Sequence, residues 1–386
     1  MQQASIATFY QQQFNTRPAL LVQAPGRINL IGEHTDYNAG FVLPGAIQQS
    51  IWLAIGPRED TQLHCYAMDW KEFIQLDAEA LSFQKETSWA NYLLGVLEEF
   101  RLLGSPAKGL NIAFGGNIPT GAGLSSSAAL VSAMAVALNE LFEQGKSRLE
   151  LAQLAQRAEN NFVGTQCGIM DMFASLFGKA GQVLQLDCRD LSVRYFTVPQ
   201  GPYSWVLLDS GVKHRLVESE YNTRRAECEA GVAYLQEDGL QITSLREVTR
   251  EALMNRSSLL PETVFRRCLF VVEEIERVQR ACQLLEEGQL VEFGRLLTEC
   301  HRGLDSLYEV CVPETNFLVE QAICRAGVLG ARQMGGGFGG CVLCLVETEL
   351  LPELIQSLSS VYHSTFGIQL LHYPVQLSEG AQILKD

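Results

Sequence analysis

The sequence predicts an α+β fold built as two domains. Three observations carry this. The chain has 386 residues, more than a single hydrophobic core usually serves. Apolar residues make up 47% and charged residues 19%, enough apolar surface to offset chain entropy and exclude a disordered protein. Strand-like and helix-like stretches mix without strict βα alternation, which disfavours a doubly wound parallel sheet.

Charge narrows the partners. Lys and Arg number 29 against 44 Asp and Glu, a formal net charge of −15. Nucleic acid and an anionic membrane surface both call for a basic face, so neither is expected. An anionic substrate remains compatible if local donors or a metal shield it. Residues 1–17 are polar and glutamine-rich, without the apolar core of a secretory signal, and no run of 18 apolar residues suggests a membrane span. The eleven cysteines then read as reduced thiols of a cytoplasmic protein. Cys341 and Cys344 have C-x-x-C spacing, but a zinc site would want two more ligands nearby. They read as small core residues of a buried strand.

The elements follow in chain order. Residues 19–23 form a short apolar run, read as a strand, that enters a polar, glycine-containing segment over 24–45. Residues 49–55 and 62–76 are β-rich, and 89–103 show helical spacing. Residues 110–114 read as a strand, followed over 115–123 by a loop with four glycines and one proline. Over 124–142, apolar pairs at Ala129/Leu130, Ala133/Met134, Ala137/Leu138 and Leu141/Phe142 give a 3.6-residue period, hence an amphipathic helix. Gly145 sits where a C-terminal glycine belongs. Ser147 and Glu150 fit a capping box for a helix reaching about Phe162. After the turn signals Pro199 and Gly201-Pro202, residues 203–209 read as a strand. The domain boundary is placed there, giving an N-terminal domain over 1–202 and a C-terminal domain over 203–386. The second half is helix-rich, with helices over 261–287, 291–308 and 313–326. A glycine cluster over 335–340 then feeds a strand over 341–347.

Three clusters carry candidate chemistry. Gly121-Ala122-Gly123-Leu124-Ser125-Ser126-Ser127 joins a loop to a helix. A helix N-terminus leaves about four N–H groups unpaired and carries roughly half a positive charge, so glycines and serines there suit a phosphate without any lysine. A glycine turn with a serine cap is the alternative. Arg27, Asn29, Glu33, His34, Asp36, Tyr37 and Asn38 fall within 12 residues, interleaved with Ile28, Leu30 and Ile31. Such a partly buried polar group suits a polyhydroxyl ligand, a metal, or simply a satisfied turn. Asp171 closes a glycine-containing turn just before an apolar stretch. It reads either as a helix N-cap or as a catalytic base near Arg27.

These residues resemble a known family. Residues 26–40, Gly-Arg-Ile-Asn-Leu-Ile-Gly-Glu-His-Thr-Asp-Tyr-Asn-Ala-Gly, are similar to the galactokinase signature almost position for position. Residues 119–128 and 334–341 resemble the second and third motifs shared by galactokinase, homoserine kinase, mevalonate kinase and phosphomevalonate kinase. Residues 167–171 resemble the galactokinase catalytic segment, and 219–225 its sugar-site stretch. The motifs run in the expected order from residue 24 to 345, across essentially the whole chain.

The resemblance implies a two-domain small-molecule kinase fold with the active site between the domains. It implies ATP as co-substrate, Mg2+, and galactose phosphorylated at its anomeric hydroxyl. By match to the family's motifs, Asp171 and Arg27 would be catalytic. Glu33, His34, Asp36, Gly168 and Tyr221 would bind the sugar. The Gly121–Ser127 loop and Trp89 would bind ATP, and Ser127 and Glu159 would hold the metal. A monomer, or at most a weak dimer, is expected. Four positions depart from the family pattern: Met172 stands where Gln is usual, Asn160 for His, Met334 for Thr, and Asn222 for Pro. Two other readings are an N-acetylgalactosamine or other small-molecule kinase of the same family, and a non-catalytic galactose sensor. A sensor should have lost part of the catalytic set, yet Arg27, Asp171, Ser127 and Glu159 are all present.

Overall fold

The computed structural model describes residues 3–119, 121–199, 201–213 and 217–384. Thr120 of the glycine loop and the side chain of Ser219 lie outside the described residues.

Helix α1 (Gln3–Phe14) opens the chain, where only a polar stretch was expected. Its two buried residues Ile6 and Tyr10, one turn apart, pack with Leu21 and Trp52. Strand β1 (Leu20–Asn29) runs six residues past its expected end, into the polar cluster. After it come β2 (Phe41–Val42), β3 (Pro44–Pro57), β4 (Gln62–Ala67) and β5 (Glu72–Asp77). Helix α2 (Ala90–Leu102) and β6 (Leu110–Gly116) follow as expected. Next come α3 (Ser126–Leu141), α4 (Arg148–Arg157), α5 (Met170–Phe177), β7 (Gln182–Asp187) and β8 (Val193–Thr197).

In the second half, β9 (Tyr203–Lys213) and α6 (Val217–Glu237) lead to the short α7 (Arg250–Met254). Then come α8 (Glu262–Glu286), α9 (Leu290–Ser306), α10 (Pro313–Ile323), β10 (Val328–Gln333) and β11 (Gly339–Glu347). Helix α11 (Leu351–Phe366), β12 (Leu371–Pro374) and β13 (Gln382–Leu384) close the described chain. The mixture is α+β, as predicted.

Three sheets organise these elements. The largest has the order β13-β1-β3-β6-β4-β5, antiparallel except for the β4–β6 pair. The second, β10-β11-β9-β12, draws every strand from beyond residue 202. The third is the small β2-β7-β8 sheet. Strand β13 returns to the first sheet, pairing Leu384 with Leu21. Cys341 and Cys344 are buried in β11, and all eleven cysteines are free thiols.

Two helices differ from expectation in ways that matter for the site. Helix α3 is not amphipathic in use. Every residue from Ala128 to Ala135 is buried, because it packs against β1, β3 and three other helices at once. Helix α4 begins with the expected capping box between Ser147 and Glu150. It ends at Arg157 and continues as a π-helical turn, Ala158–Val163, closed by Gly164 at φ +95°. Such turns insert an extra residue and re-aim side chains. Here Glu159 is left 3% exposed.

Candidate active site

Strand β1 changes register against β3 between Pro25 and Arg27. Pro25 has no N–H to give a ladder, which suits an interruption. Gly26 lies at the break because a side chain would not fit: a Cβ there would stand 2.7 Å from the Leu124 carbonyl oxygen. The strand therefore lies directly on the glycine loop, and the Arg27 N–H donates to that same carbonyl at 3.2 Å. Beyond the bulge the Arg27 guanidinium holds three acceptors. Nε donates to Asp171 Oδ1 at 2.8 Å, Nη2 to Asp171 Oδ2 at 3.1 Å, and Nη1 to the Gly123 carbonyl at 2.5 Å.

The N-cap reading of Asp171 fails. Ile169 occupies the N-cap position of α5, and Asp171 is the second residue of the helix. Its carboxylate instead accepts from Arg27 and from the Ser125 hydroxyl. Ser125 precedes α3 in the left-handed region, at φ +56°, and its side chain makes no cap bond. The glycine loop and Asp171 are thus tied together through Arg27 and Ser125. The third glycine motif lies alongside: a Cβ on Gly335 would be 3.6 Å from the Gly123 carbonyl, and one on Gly340 3.5 Å from that of Ala122.

The polar cluster divides into two layers. Arg27, Glu33, His34 and Asp36 line a cleft of about 190 Å³, together with Ser127, Glu159, Gly168, Asp171 and Tyr221. Asn29, Tyr37 and Asn38 stand behind it, where Asn29 accepts from the Leu43 N–H and Asn38 donates to the His34 carbonyl. Among the described residues no three His, Cys, Asp or Glu side chains group in a way that could hold a metal ion.

The cleft is fixed by residues the sequence did not single out. Arg332, wholly buried, donates to Glu33 Oε1 at 2.9 Å, to the Leu30 carbonyl at 2.7 Å and to the Asn29 carbonyl. The Gly335 N–H donates to the same Glu33 oxygen at 2.8 Å. Glu274, also wholly buried, accepts from the Gly32 N–H at 2.8 Å and from Arg277. A lone arginine before a glycine motif and a lone glutamate inside a long helix carry no local signal. Only the packing of β10 and α8 against residues 29–33 brings them into play.

Burial sets the charges. The Asp36 carboxyl is pushed up to about 7, first by burial and then by the neighbouring Asp171 and Glu33 carboxylates. His34 is pushed down to about 3 by burial and by the Arg224 and Arg332 guanidinium groups, so its ring is neutral near neutral pH. Gly168 is where Asp36 approaches the turn before α5: a Cβ at Gly168 would lie 1.7 Å from Asp36 Oδ2. Tyr221 comes from α6, its ring 5.6 Å from that of His34.

Of the departures from the family pattern, two have visible roles. Asn160 exchanges hydrogen bonds with Cys167, accepting from its N–H at 3.1 Å and so holding the turn before Asp171. Met334 accepts from the Asn29 N–H at 3.4 Å. Met172 is wholly buried in the core, and nothing in the structure explains Asn222. Trp89 does not line the cleft. It lies 7% exposed near the end of β6, its ring 6.5 Å from that of Trp70 and nearly parallel, with its indole N–H on Glu72.

Comparison with known proteins agrees with this geometry. Residues 8–57 match the galactokinase galactose-binding signature, 91–179 the GHMP kinases N terminal domain, and 281–364 the GHMP kinases C terminal region. The chain is 40% identical to a galactokinase of Thermotoga maritima over 361 residues, covering 94% of this chain and 99% of that one. A crystal structure of Lactococcus lactis galactokinase complexed with galactose superposes with a TM-score of 0.94. It has 34% identity and covers 99% of both chains. A Methanococcus jannaschii mevalonate kinase structure shares the fold, with a TM-score of 0.60, 15% identity, and coverage of 93% of this chain and 98% of that one. With relatives this close over nearly its full length, the chain belongs to the galactokinase family of the GHMP kinases.

Proposed function

We propose that this protein transfers the γ-phosphoryl group of ATP to the anomeric hydroxyl of α-D-galactose, giving galactose 1-phosphate and ADP. The observation that carries this reading is the Arg27–Asp171 pair. It stands between the glycine loop and a cleft whose Glu33, His34, Asp36 and Tyr221 suit a polyhydroxyl ligand.

Phosphoryl transfer asks a protein chiefly for positioning and charge stabilisation. The amide groups of Gly121–Ser127 at the start of α3 would receive the phosphates. Asp171 would orient the attacking hydroxyl and accept its proton, while the two-pronged bond from Arg27 keeps the carboxylate aimed. Ser127 and Glu159 line the same cleft and offer only oxygen donors, with Glu159 almost wholly buried, which fits a hard cation such as Mg2+. These two residues would hold it. Its chemistry there is neutralisation of phosphate charge, which a protein of net charge −15 would otherwise repel. On the adenine side, the buried Trp89 would act through the half-exposed Trp70 stacked beside it, whose outer face is the one a base could reach.

The reading extends to organisation. Domains 1–202 and 203–386 meet at the cleft, and the protein works as a cytoplasmic monomer. No helix among the described residues is long and apolar enough to cross a membrane. The test is incubation with ATP, Mg2+ and each of galactose, N-acetylgalactosamine and glucose, assayed for ADP and sugar 1-phosphate. Turnover on galactose is expected. Galactose binding without turnover would instead make the protein a sensor.

A further inference from the structure

The turn that carries Gly168 into α5 is held in two ways. Its first half hangs on the π-helical turn by backbone bonds: the Gly164 and Thr165 N–H groups donate to the Glu159 carbonyl at 2.8 and 3.2 Å. Its second half is held by side chains. Asn160 takes both backbone polar groups of Cys167, its Oδ1 accepting from the N–H at 3.1 Å and its Nδ2 donating to the carbonyl at 3.4 Å. The same N–H also reaches the Thr165 carbonyl inside the turn, at 2.8 Å. Gln156, one helical turn before Asn160, donates to the Cys167 carbonyl at 3.1 Å. The Cys167 thiol adds a bond to Asn160 Oδ1 at 3.2 Å.

The direction of the backbone bonds is fixed by chemistry. A backbone N–H only donates and a backbone carbonyl only accepts, so the carboxamide oxygen of Asn160 faces the one and its nitrogen the other. Asn160 is also a position where the family pattern has histidine. A carboxamide sets its acceptor and its donor side by side, whereas the two nitrogens of an imidazole point in diverging directions. The two-sided grip on one residue is therefore work for an asparagine.

Gly168 comes next in the chain, and it is packed against Asp36. A Cβ on Gly168 would stand 1.7 Å from Asp36 Oδ2, so the carboxylate occupies the place of the missing side chain. Both residues line the cleft. A shift of Cys167 passes to Gly168 through one stiff, planar peptide and from Gly168 to Asp36 by contact. We infer that Asn160, with Gln156, is a positioning residue of the sugar site: its carboxamide fixes the peptide between Cys167 and Gly168 and so sets where Asp36 Oδ2 stands. This deepens the galactose reading and rests on it for the identity of the ligand, though not for the geometry.

The role differs from one in stability alone. Asp171 is held separately, by Arg27 and by the Ser125 hydroxyl, so loosening the turn should reach sugar binding before it reaches the reacting groups. A variant that only unfolds more readily lowers the active fraction, and with it kcat, while its KM stays as it was.

The experiment begins with Asn160→Leu, which keeps the volume and removes the carboxamide's bonds. Its KM for galactose should rise about 2- to 10-fold, one hydrogen bond's worth, with the KM for ATP unmoved and kcat falling by less than the KM rises. Gln156→Leu removes one bond and leaves Asn160 in place. It should move the KM in the same direction by less, and it carries the test if Asn160→Leu fails to fold. A native galactose KM, or a kcat that falls at unchanged KM, overturns the inference. A second measurement needs no sugar: the pH titration of the Asp36 carboxyl followed by ¹³C resonance, assigned by its loss in Asp36→Asn. Burial pushes that carboxyl up to about 7, so a looser turn that admits water should lower its midpoint. A midpoint equal to the native one in both variants also overturns the inference. If galactose proves not to be the substrate, the titration still decides the role of Asn160, so the two failures are distinguishable.

Discussion

Arg27 and Asp171, 144 residues apart in the chain, meet in a two-pronged ion pair with N–H···O distances of 2.8 and 3.1 Å. The arginine is nearly buried, and its third donor reaches the Gly123 carbonyl of the glycine loop. One side chain therefore sets the distance between the glycine loop and the Asp171 carboxylate. Asp171→Asn keeps the shape and removes the charge. Turnover should fall about 10²- to 10⁴-fold, the range for loss of a positioned acid–base group. Galactose binding measured by calorimetry should persist, whereas near-native turnover would leave Asp171 a purely structural partner of Arg27.

Glu159 emerges from a π-helical turn, not from a regular helical face. If it holds Mg2+, Glu159→Gln should raise the magnesium concentration needed for half-maximal rate at least tenfold, with little change in the galactose KM. A magnesium titration identical to that of the native protein would rule out metal binding by this residue.

Asp36 makes the cleft sensitive to pH near neutrality. Its folded value of about 7 lies above its ordinary value of 3.8, so between these limits the native state binds more protons than the unfolded one. The contribution of Asp36 to stability is full below about pH 4 and lost as pH rises through about 7. If Asp36 binds galactose as proposed, sugar hydroxyls donate to its ionised form and favour it. Sugar affinity should therefore strengthen as pH rises from 6 to 8, with proton release on binding near pH 6–7. Calorimetry in two buffers of different ionisation heat measures that release, and Asp36→Asn should abolish it.

Gly168 should tolerate no side chain for functional reasons. A Cβ there would stand 1.7 Å from Asp36 Oδ2, an atom at the end of a side chain that can swing away. The fold should survive Gly168→Ala with a small change in melting temperature. The KM for galactose should rise at least tenfold, because the displaced carboxylate no longer faces the sugar. An unchanged KM would show that Asp36 does not contact it.

The Arg332–Glu33 pair is buried on both sides. Arg332→Met leaves Glu33 a desolvated charge with one backbone donor, and breaking such a pair costs about 3–5 kcal/mol. Denaturant unfolding should show a loss of that order, while the double variant Arg332→Met/Glu33→Gln should recover part of it.

How much of this was legible in the sequence depends on distance along the chain. Local signals read well: the capping box at Ser147 and Glu150, strand β6, helices α8 to α10, and the glycine loop opening α3. Helix α1 was missed because only Ile6 and Tyr10 of its apolar residues are fully buried, and they stand within a glutamine-rich stretch. The extent of α4 was misjudged because hydrophobic period does not report a change from α to π hydrogen bonding. Nine of the residues expected at the site line one cleft, because each belongs to a motif whose residues lie close in sequence. Arg332 and Glu274 belong to none. Their part rests on contacts across 242 to 303 residues, which no local spacing encodes.

The seam that Arg332 closes also limits how the molecule can breathe. An open form that parted β10 from residues 29–33 would leave a guanidinium, a carboxylate and two carbonyls without partners. Such a form would have to exchange all of these bonds for water at once, so they give way together or not at all. Motions that leave this wall shut and work at the mouth of the cleft break none of them.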